Sequence, residues 1–461
     1  MVHTGGVSEG VAALAAAGVR VGMDVSVAIP RLPRKEPAGF GGDLEVIAEY
    51  TLPEVTRVLA CPLPGAGEPV RLLLVEAASL SERSDPYGED SRDLGSAARA
   101  ALFCRAIVEL VLGEAAAGRP FDVVHVHEWP CAPIPYLLRE RGGAGATRTV
   151  LGVHNLMHQG VFPLAALESL HLGPEHATMD RLEFHGYASF LKAGILAADA
   201  VVTVSPTYAR EILTPEQGEL LEGVLATRRD RLFGVANGID VVAWDPARDP
   251  HLPARFSADD LGGKAACRAA VLAELGLAPD RPLVASLGRI IEQKGSDVLA
   301  DAIGPLVDAG ASVVVAGTGD AELVARLRAS AAGRPGRAVY VGFAPDPLAH
   351  RLIAGADVVV MPSRYEPCGI VQLYAQRYAA VPVVRRTGGL ADTVLDAEVD
   401  PEGTGFFFDA LDPSALTAAT ARALARLAGP DGDALRRRCA RRAVGWDLPA
   451  ARYLQIYRRL G

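Results

Sequence analysis

Three short stretches carry residues whose types and spacing could do chemistry. In SLGRIIEQKG (286–295), Arg289 and Lys294 stand five residues apart, after an apolar run and before a helical pattern starting near Ser296. Two cations beyond the C-terminal end of a strand lie where open α/β sheets bind ligands. There they would neutralise charge building on a departing diphosphate, or they form a solvated surface pair. In MPSRYEPCGIVQLY (361–374), Glu366 precedes a helical pattern starting near Cys368. A carboxylate there is favoured by the helix dipole and could bind sugar hydroxyls, balance a cationic transition state or simply belong to a helix cap. Cys368 fits either a thiol of lowered pKa or a packed side chain. In GVHNLMHQG (152–160) and HVHEW (125–129), His154, Asn155, Glu128 and Trp129 follow apolar runs. Trp129 beside a carboxylate suits a sugar platform and suits core packing equally. With no H-E-x-x-H and no carboxylate at a familiar ligand spacing, a metal is discounted.

The elements that must hold these residues are short β-branched runs alternating with helical stretches: VSVAI (25–29), LLLVE (72–76), DVVHV (122–126), TVLGV (149–153), AVVTV (200–204), PLVASL (282–287), SVVVAG (312–317), AVYVG (338–342), DVVVM (357–361) and VPVV (381–384). Continuous apolar strands are buried on both faces, hence parallel sheets covered by helices, and the alternation predicts doubly wound α/β domains. The series breaks at about 240–262, a Pro- and Asp-rich stretch that reads as a link between two domains. WDLPAARYLQIYRRL (446–460) predicts one amphipathic terminal helix. TGGV (4–7) and TGGL (387–390) each precede a helical pattern, one per half of the chain. Gly-Gly at a helix start lets backbone N–H groups approach an anion, and it also makes a plain tight turn.

Composition narrows the classes. A chain of 461 residues favours two or three domains. A net charge of −9 argues against a nucleic-acid or anionic-membrane surface. Six cysteines without a C-x-x-C pair suit a reducing cytosol. No apolar run approaches the roughly 18–20 residues of a membrane span, and no signal peptide is evident. Only four of the 46 basic residues are lysines, so Lys294 is a minority choice.

Together the motifs resemble bacterial glycogen synthases and plant starch synthases, retaining glycosyltransferases of the two-Rossmann (GT-B) type. The resemblance runs over almost the whole chain. It rests on TGGVSEGVAAL, HVHEW, VHNLMHQGVF, EFHGYASFLKAGILAADAVVTVSPTYAREI, NGID, LGRIIEQKG, SRYEPCGIVQLY and RRTGGLADTV. It implies two Rossmann-like α/β domains facing across a cleft: an N-terminal catalytic domain over 1–240, a linker over 241–262, a nucleotide-sugar-binding domain over 263–445, and a helix over 446–461 packing back on the N-terminal domain. It implies transfer of glucose from ADP-glucose to the non-reducing end of an α-1,4-glucan in the cytoplasm, with no metal or other cofactor and with neither nucleic acid nor membrane as partner. No oligomeric state is assigned. Many GT-B retaining enzymes carry a second Glu eight positions after the first; Tyr374 stands there, as in the glycogen and starch synthase branch.

By the same resemblance, Arg289 and Lys294 grip the diphosphate, Glu366 holds the glucosyl unit, and Cys368, Gly369 and Ile370 line the site. His154 lies close to the glucose. Glu128 and Trp129 take the family's Asp-Trp positions near acceptor and sugar, with Asn155 alongside. Asn237 lies in the cleft, Phe343 stacks on the base, and Thr387, Gly388, Gly389 and Leu390 lend backbone N–H groups to the donor.

The N-terminus departs from the pattern. The family has a strand and then K-T-G-G-L-A/G-D-V. Here the loop reads His3-Thr4-Gly5-Gly6-Val7-Ser8-Glu9-Gly10, with His3 for the Lys, Glu9 for an Asp and no preceding strand. The first strand of the N-terminal domain is therefore expected to be missing, leaving a neighbouring strand with unpaired groups. A chain starting upstream of Met1, a working synthase with a weakened loop, a non-catalytic glucan- or nucleotide-sugar-binding paralogue and a UDP-glucose transferase all remain open on the sequence.

Overall fold

The computed structural model describes residues 6–32, 44–63, 67–81, 93–143 and 145–461. His3 and Gly5 lie outside them. The chain divides into two compact units, one formed by residues 1–235 and 446–461, the other by 236–445.

The second unit is built on six parallel strands in the order Ala338–Gly342, Ser312–Ala316, Leu283–Leu287, Val358–Met361, Val381–Arg385, Phe406–Phe408. Numbered along the chain this is 3-2-1-4-5-6, the doubly wound order. The inner strands are Val-rich and buried along their whole length. β-Branched side chains suit a pleated surface, and helices on both faces exclude water from it. The helices Ser296–Asp308 and Pro413–Ala428 cover one face through Leu299, Ile303, Leu306 and Leu416. The order reverses between Leu283–Leu287 and Val358–Met361, which pair through Val284–Val358 and Ala285–Val359.

The stretch expected to link two domains, 241–262, is instead an integral part of this unit. Trp244 stacks between His350 and Tyr374 with ring centroids 3.7 Å from each. Asp249 accepts hydrogen bonds from His350 Nδ1 (2.7 Å) and the Tyr378 hydroxyl (2.6 Å). Phe256 is buried in the same cluster. Single aromatic anchors at irregular spacing, with no period of 2 or 3.6, hold this segment down.

The first unit has two four-stranded sheets among its described residues. One is wholly parallel, in the order Leu232–Gly234, Ala200–Thr203, Arg148–Val153, Val123–His127. The other pairs Ser26–Pro30 in parallel with Arg71–Glu76 and then continues antiparallel through Val55–Pro62 and Glu45–Thr51. That antiparallel extension departs from the all-parallel expectation. Its outer strand, EVIAEYT, carries Glu45 and Glu49 and has no fully buried residue, as a sheet edge facing water does. The long helix Leu94–Ala116 packs Ala101, Ile107 and Val108 into the main core with Val126 and Leu151. The terminal helix Asp447–Leu460 lies in this unit, with Ala450 and Trp446 against Ala17 of the helix Gly6–Arg20, and an Arg20–Asp447 ion pair at 2.7 Å. No helix among the described residues is long and apolar enough to cross a membrane.

Candidate active site

In the second unit the reversal of strand order sets the geometry. Strands one and four leave the sheet side by side, and the loops at their carboxyl ends meet where doubly wound sheets bind ligands. The first loop carries Arg289 and Lys294, the second Ser363, Glu366 and Cys368. Gly295 brings the loops together. It has φ 65°, and a Cβ there would stand 1.9 Å from the Pro362 carbonyl oxygen, so the backbones meet only because position 295 has no side chain. Arg364 locks the approach with two 2.7 Å bonds to the Asp297 carboxylate.

The result is a close pair. Lys294 Nζ donates to Glu366 Oε2 at 2.5 Å, and the Ser363 hydroxyl donates to the same oxygen at 3.0 Å. Arg289 is exposed and makes no ion pair among the described residues. A cation with no protein partner is at liberty to meet a phosphate. Phe343 stands 72% exposed just past the strand Ala338–Gly342.

Cys368 is buried, and burial pushes its thiol up to about 12. The helix begins at Val371, three residues later than expected, so no helix end lowers that pKa. Cys368 is a packed residue beside the Asn237 backbone, not a reactive thiol. Gly369 takes φ 69° and Ile370 caps the helix.

Three of the four TGGL amides are engaged within the unit. The loop's helix, Gly388–Thr393, has six residues. The N–H groups of Thr387, Gly389 and Leu390 donate to Arg385, Glu366 and Thr387 carbonyls at 3.0, 2.9 and 3.1 Å. These amides are engaged inside the unit. Their use is to fix the Glu366 loop: a Cβ on Gly389 would stand 2.1 Å from the Cys368 carbonyl oxygen, so only glycine permits the contact.

In the first unit, His127, Glu128, His154 and Asn155 gather at the carboxyl ends of neighbouring strands, Val123–His127 and Arg148–Val153. Glu128 takes φ 63°, is 4% exposed, and its Oε1 accepts the N–H groups of His154 (2.5 Å) and Asn155 (3.1 Å). Burial pushes its carboxyl up to about 7, against the pull of those two hydrogen bonds. Trp129 is buried, edge-on to Phe162 with centroids 5.4 Å apart, and packed against Gly160. Trp129 packs in the core, and Glu128 Oε1 holds the loop that carries His154. The equal alternatives for Trp129 are thus decided by burial.

His154 Nε2 lies 3.0 Å from His127 Nδ1, and burial holds the His154 imidazole down at about 4. His125 bonds Tyr457 of the terminal helix at 2.7 Å and is held at about 3 by burial and by the neighbouring His154. Asn155 Oδ1 accepts the Met157 N–H at 3.2 Å, a local turn. Gly6 begins the helix Gly6–Arg20, with Glu9 exposed in its first turn. Among the described residues no three His, Cys, Asp or Glu side chains are grouped to hold a metal. Ser363, Gln372 and Thr393 were not singled out from the sequence. All three stand in the quoted motifs or beside them, and only their contacts mark them.

Comparison with known proteins agrees with this architecture. Residues 1–227 match the starch synthase catalytic domain family, and residues 268–444 the glycosyl transferases group 1 family. The chain is 42% identical to a glycogen synthase of Thioalkalivibrio sulfidiphilus over 487 residues, covering 100% of this chain and 97% of the relative. A glycogen synthase of Anaeromyxobacter dehalogenans is also 42% identical, with 99% and 96% covered. Among solved structures, the catalytic domain of starch synthase IV from Arabidopsis thaliana, bound to ADP and acarbose, aligns with TM-score 0.88 and 27% identity over 99% of this chain and 96% of that one. A sucrose-phosphate synthase from Thermosynechococcus elongatus shares the fold, with TM-score 0.62 and 19% identity over 99% and 94%. With two α/β units, loops converging at a strand-order reversal and full-length similarity at this level, the chain belongs to the glycogen synthase and starch synthase family of GT-B glycosyltransferases.

Proposed function

We propose that the protein transfers glucose from ADP-glucose to the non-reducing end of an α-1,4-glucan with retention of configuration. The observation that carries this reading is the Lys294–Glu366–Ser363 cluster at the strand-order reversal, with the unpaired Arg289 on the same loop as Lys294. Arg289 and Lys294 take up the charge of the leaving diphosphate. Glu366 fixes the glucosyl hydroxyls, and Phe343 stacks on the nucleobase. The related starch synthase IV, which holds ADP and acarbose, supports a nucleotide and a sugar at these loops.

Within the first unit, Glu128 anchors the backbone of His154. The route is a front-side displacement in which the leaving phosphate oxygen takes the proton of the incoming 4-hydroxyl, while the protein positions groups and stabilises separating charge. Charge on the diphosphate is met by side chains, so the reaction as proposed needs no cofactor beyond the nucleotide sugar. Six cysteines, all free, fit action in a reducing cytoplasm.

The test is glucose incorporation into glycogen from labelled ADP-glucose and, in parallel, UDP-glucose. ADP-glucose turnover that falls about a hundredfold or more in Glu366→Ala is the expected result. Preference for UDP-glucose would replace the donor. Binding of glucan or nucleotide by calorimetry without product from either donor would overturn the enzymatic reading in favour of a binding protein.

A further inference from the structure

The loop that carries Glu366 is joined to the helix Gly388–Thr393 by side chains to which no motif assigns a role. Gln372, on the helix Val371–Arg377, is 0% exposed. Its Nε2 donates to the carbonyls of Cys368 (3.1 Å) and Gly369 (3.0 Å) and to Thr393 Oγ1 (2.9 Å). The Thr393 hydroxyl donates its single proton to the Gly389 carbonyl at 2.5 Å. Gly389 N–H in turn donates to the Glu366 carbonyl at 2.9 Å. A closed circuit results: Glu366 loop, Gln372, Thr393, Gly389 and back to Glu366.

The orientation of the amide is fixed by its partners. Two carbonyls have no proton to give, and the Thr393 proton is used on Gly389, so all three neighbours can only accept. The amide must face them with its NH₂. That leaves Gln372 Oε1 buried without a donor, beneath Gly369. An orphaned buried carbonyl is unfavourable, and an apolar side chain of the same length would fill the space without it. Packing alone therefore does not account for a glutamine here. Two N–H donors shared among acceptors on the Glu366 loop and on the helix Gly388–Thr393 do.

We infer that Gln372 and Thr393 are positioning residues that brace the Glu366 loop against the Gly388–Thr393 helix, fixing where Glu366 stands for sugar transfer. The inference rests on the proposal that these loops hold the nucleotide sugar. Neither residue touches substrate. Both act through the Cys368, Gly369 and Gly389 backbone, and loosening the circuit displaces Glu366 by a fraction of an ångström, enough to cost rate.

The experiment uses the full chain with Thr393→Val, Thr393→Ser and Gln372→Met. Thr393→Val removes the hydroxyl at constant shape. Gln372→Met removes the donors together with the orphaned oxygen. Three readouts are taken: thermal melting, hydrogen–deuterium exchange of the 363–370 and 386–394 segments, and steady-state kinetics with ADP-glucose and glycogen. Thr393→Val and Gln372→Met are expected to melt close to the parent and to exchange at least about tenfold faster in both segments. They are expected to lose about ten- to a hundredfold in kcat with KM for glycogen unchanged, and Thr393→Ser is expected to match the parent in all three readouts. Exchange that rises only in the mutated segment, or kcat unchanged in an active parent, overturns the brace. So does a fall in kcat matched by a collapse in melting temperature that Thr393→Ser does not rescue. A parent inactive with both ADP-glucose and UDP-glucose defeats the functional reading instead, and the exchange data still decide the brace. Should Gln372→Met fail to fold, Thr393→Val carries the test.

Discussion

Lys294 Nζ stands 2.5 Å from Glu366 Oε2, a contact between residues 72 positions apart, with the glutamate side chain 5% exposed and the lysine side chain 26%. A charge-assisted bond at this distance orients both groups. It also couples them: removing Lys294 leaves Glu366 buried with the Ser363 hydroxyl, and removing Glu366 frees the ammonium to move.

Lys294→Ala and Glu366→Ala are each expected to lower kcat by about a hundredfold or more, the scale of losing one preorganised electrostatic group, with a much smaller change in KM. Since each loss also disorders the partner, the double variant is expected to be little worse than either single one. Fully additive losses would show that the two act separately. Unchanged kcat in either would remove that residue from the site.

Phe343 is 72% exposed and contributes little to the core. Phe343→Ala is expected to leave melting within about 1 °C, while raising KM for the nucleotide sugar about two- to tenfold, the worth of one stacking contact. Measuring ADP- and UDP-glucose side by side tests the contact. Equal KM in variant and parent would take Phe343 off the nucleobase.

Three imidazoles are held neutral in the first unit. His125 lies at about 3 and His154 at about 4, and His127 is lowered by burial. Unfolded, each would hold a proton below about 6.5. Their contribution to stability is therefore complete above about pH 6.5 and is lost as pH falls towards 4. Melting temperature should fall as the pH is lowered from 7 to 5. His125→Phe should reduce that slope, since phenylalanine takes up no proton, while also losing the Tyr457 hydrogen bond at every pH. A melting temperature flat across this range would contradict the assignment.

Glu128 pulls the other way. Its carboxyl, raised from 4.5 to about 7, stays protonated in the folded chain where the unfolded chain has ionised. It favours folding most below about pH 4.5 and loses that contribution as pH rises to 7. Three imidazoles outweigh one carboxyl, so the net slope keeps the sign of the histidines. Glu128→Gln retains an acceptor for the His154 and Asn155 amides and cannot ionise. The stability of the parent relative to this variant should decline between pH 4.5 and 7, at about 1.4 kcal/mol per unit of pKa shift. Denaturant titrations at several pH values read this directly, and a constant difference would refute it.

Trp244 anchors the 241–262 segment between His350 and Tyr374. Trp244→Ala is expected to destabilise the second unit by about 3 kcal/mol, as for other large aromatic truncations. The first unit should keep its own transition, which two-step calorimetric melting would resolve.

The sequence by itself determined the parts that depend on local pattern. Ten apolar runs, from VSVAI to VPVV, all became strands, because a continuous β-branched run can be buried only between layers. The SLGRIIEQKG and SRYEPCG stretches could be placed at strand ends for the same reason. Tertiary structure decided whatever depends on which strand lies beside which. Lys294 meets Glu366 because strands one and four are neighbours, and Gly295 lets their loops touch. Burial, not residue type, made Trp129 core and Cys368 a packed thiol, and set Glu128 to hold the His154 and Asn155 backbone. The TGGL amides are engaged by the Arg385, Glu366 and Thr387 carbonyls, and Gln372 finds Thr393 twenty-one positions away. Hydrogen-bond partners are chosen by three-dimensional proximity, and no one-dimensional spacing encodes them.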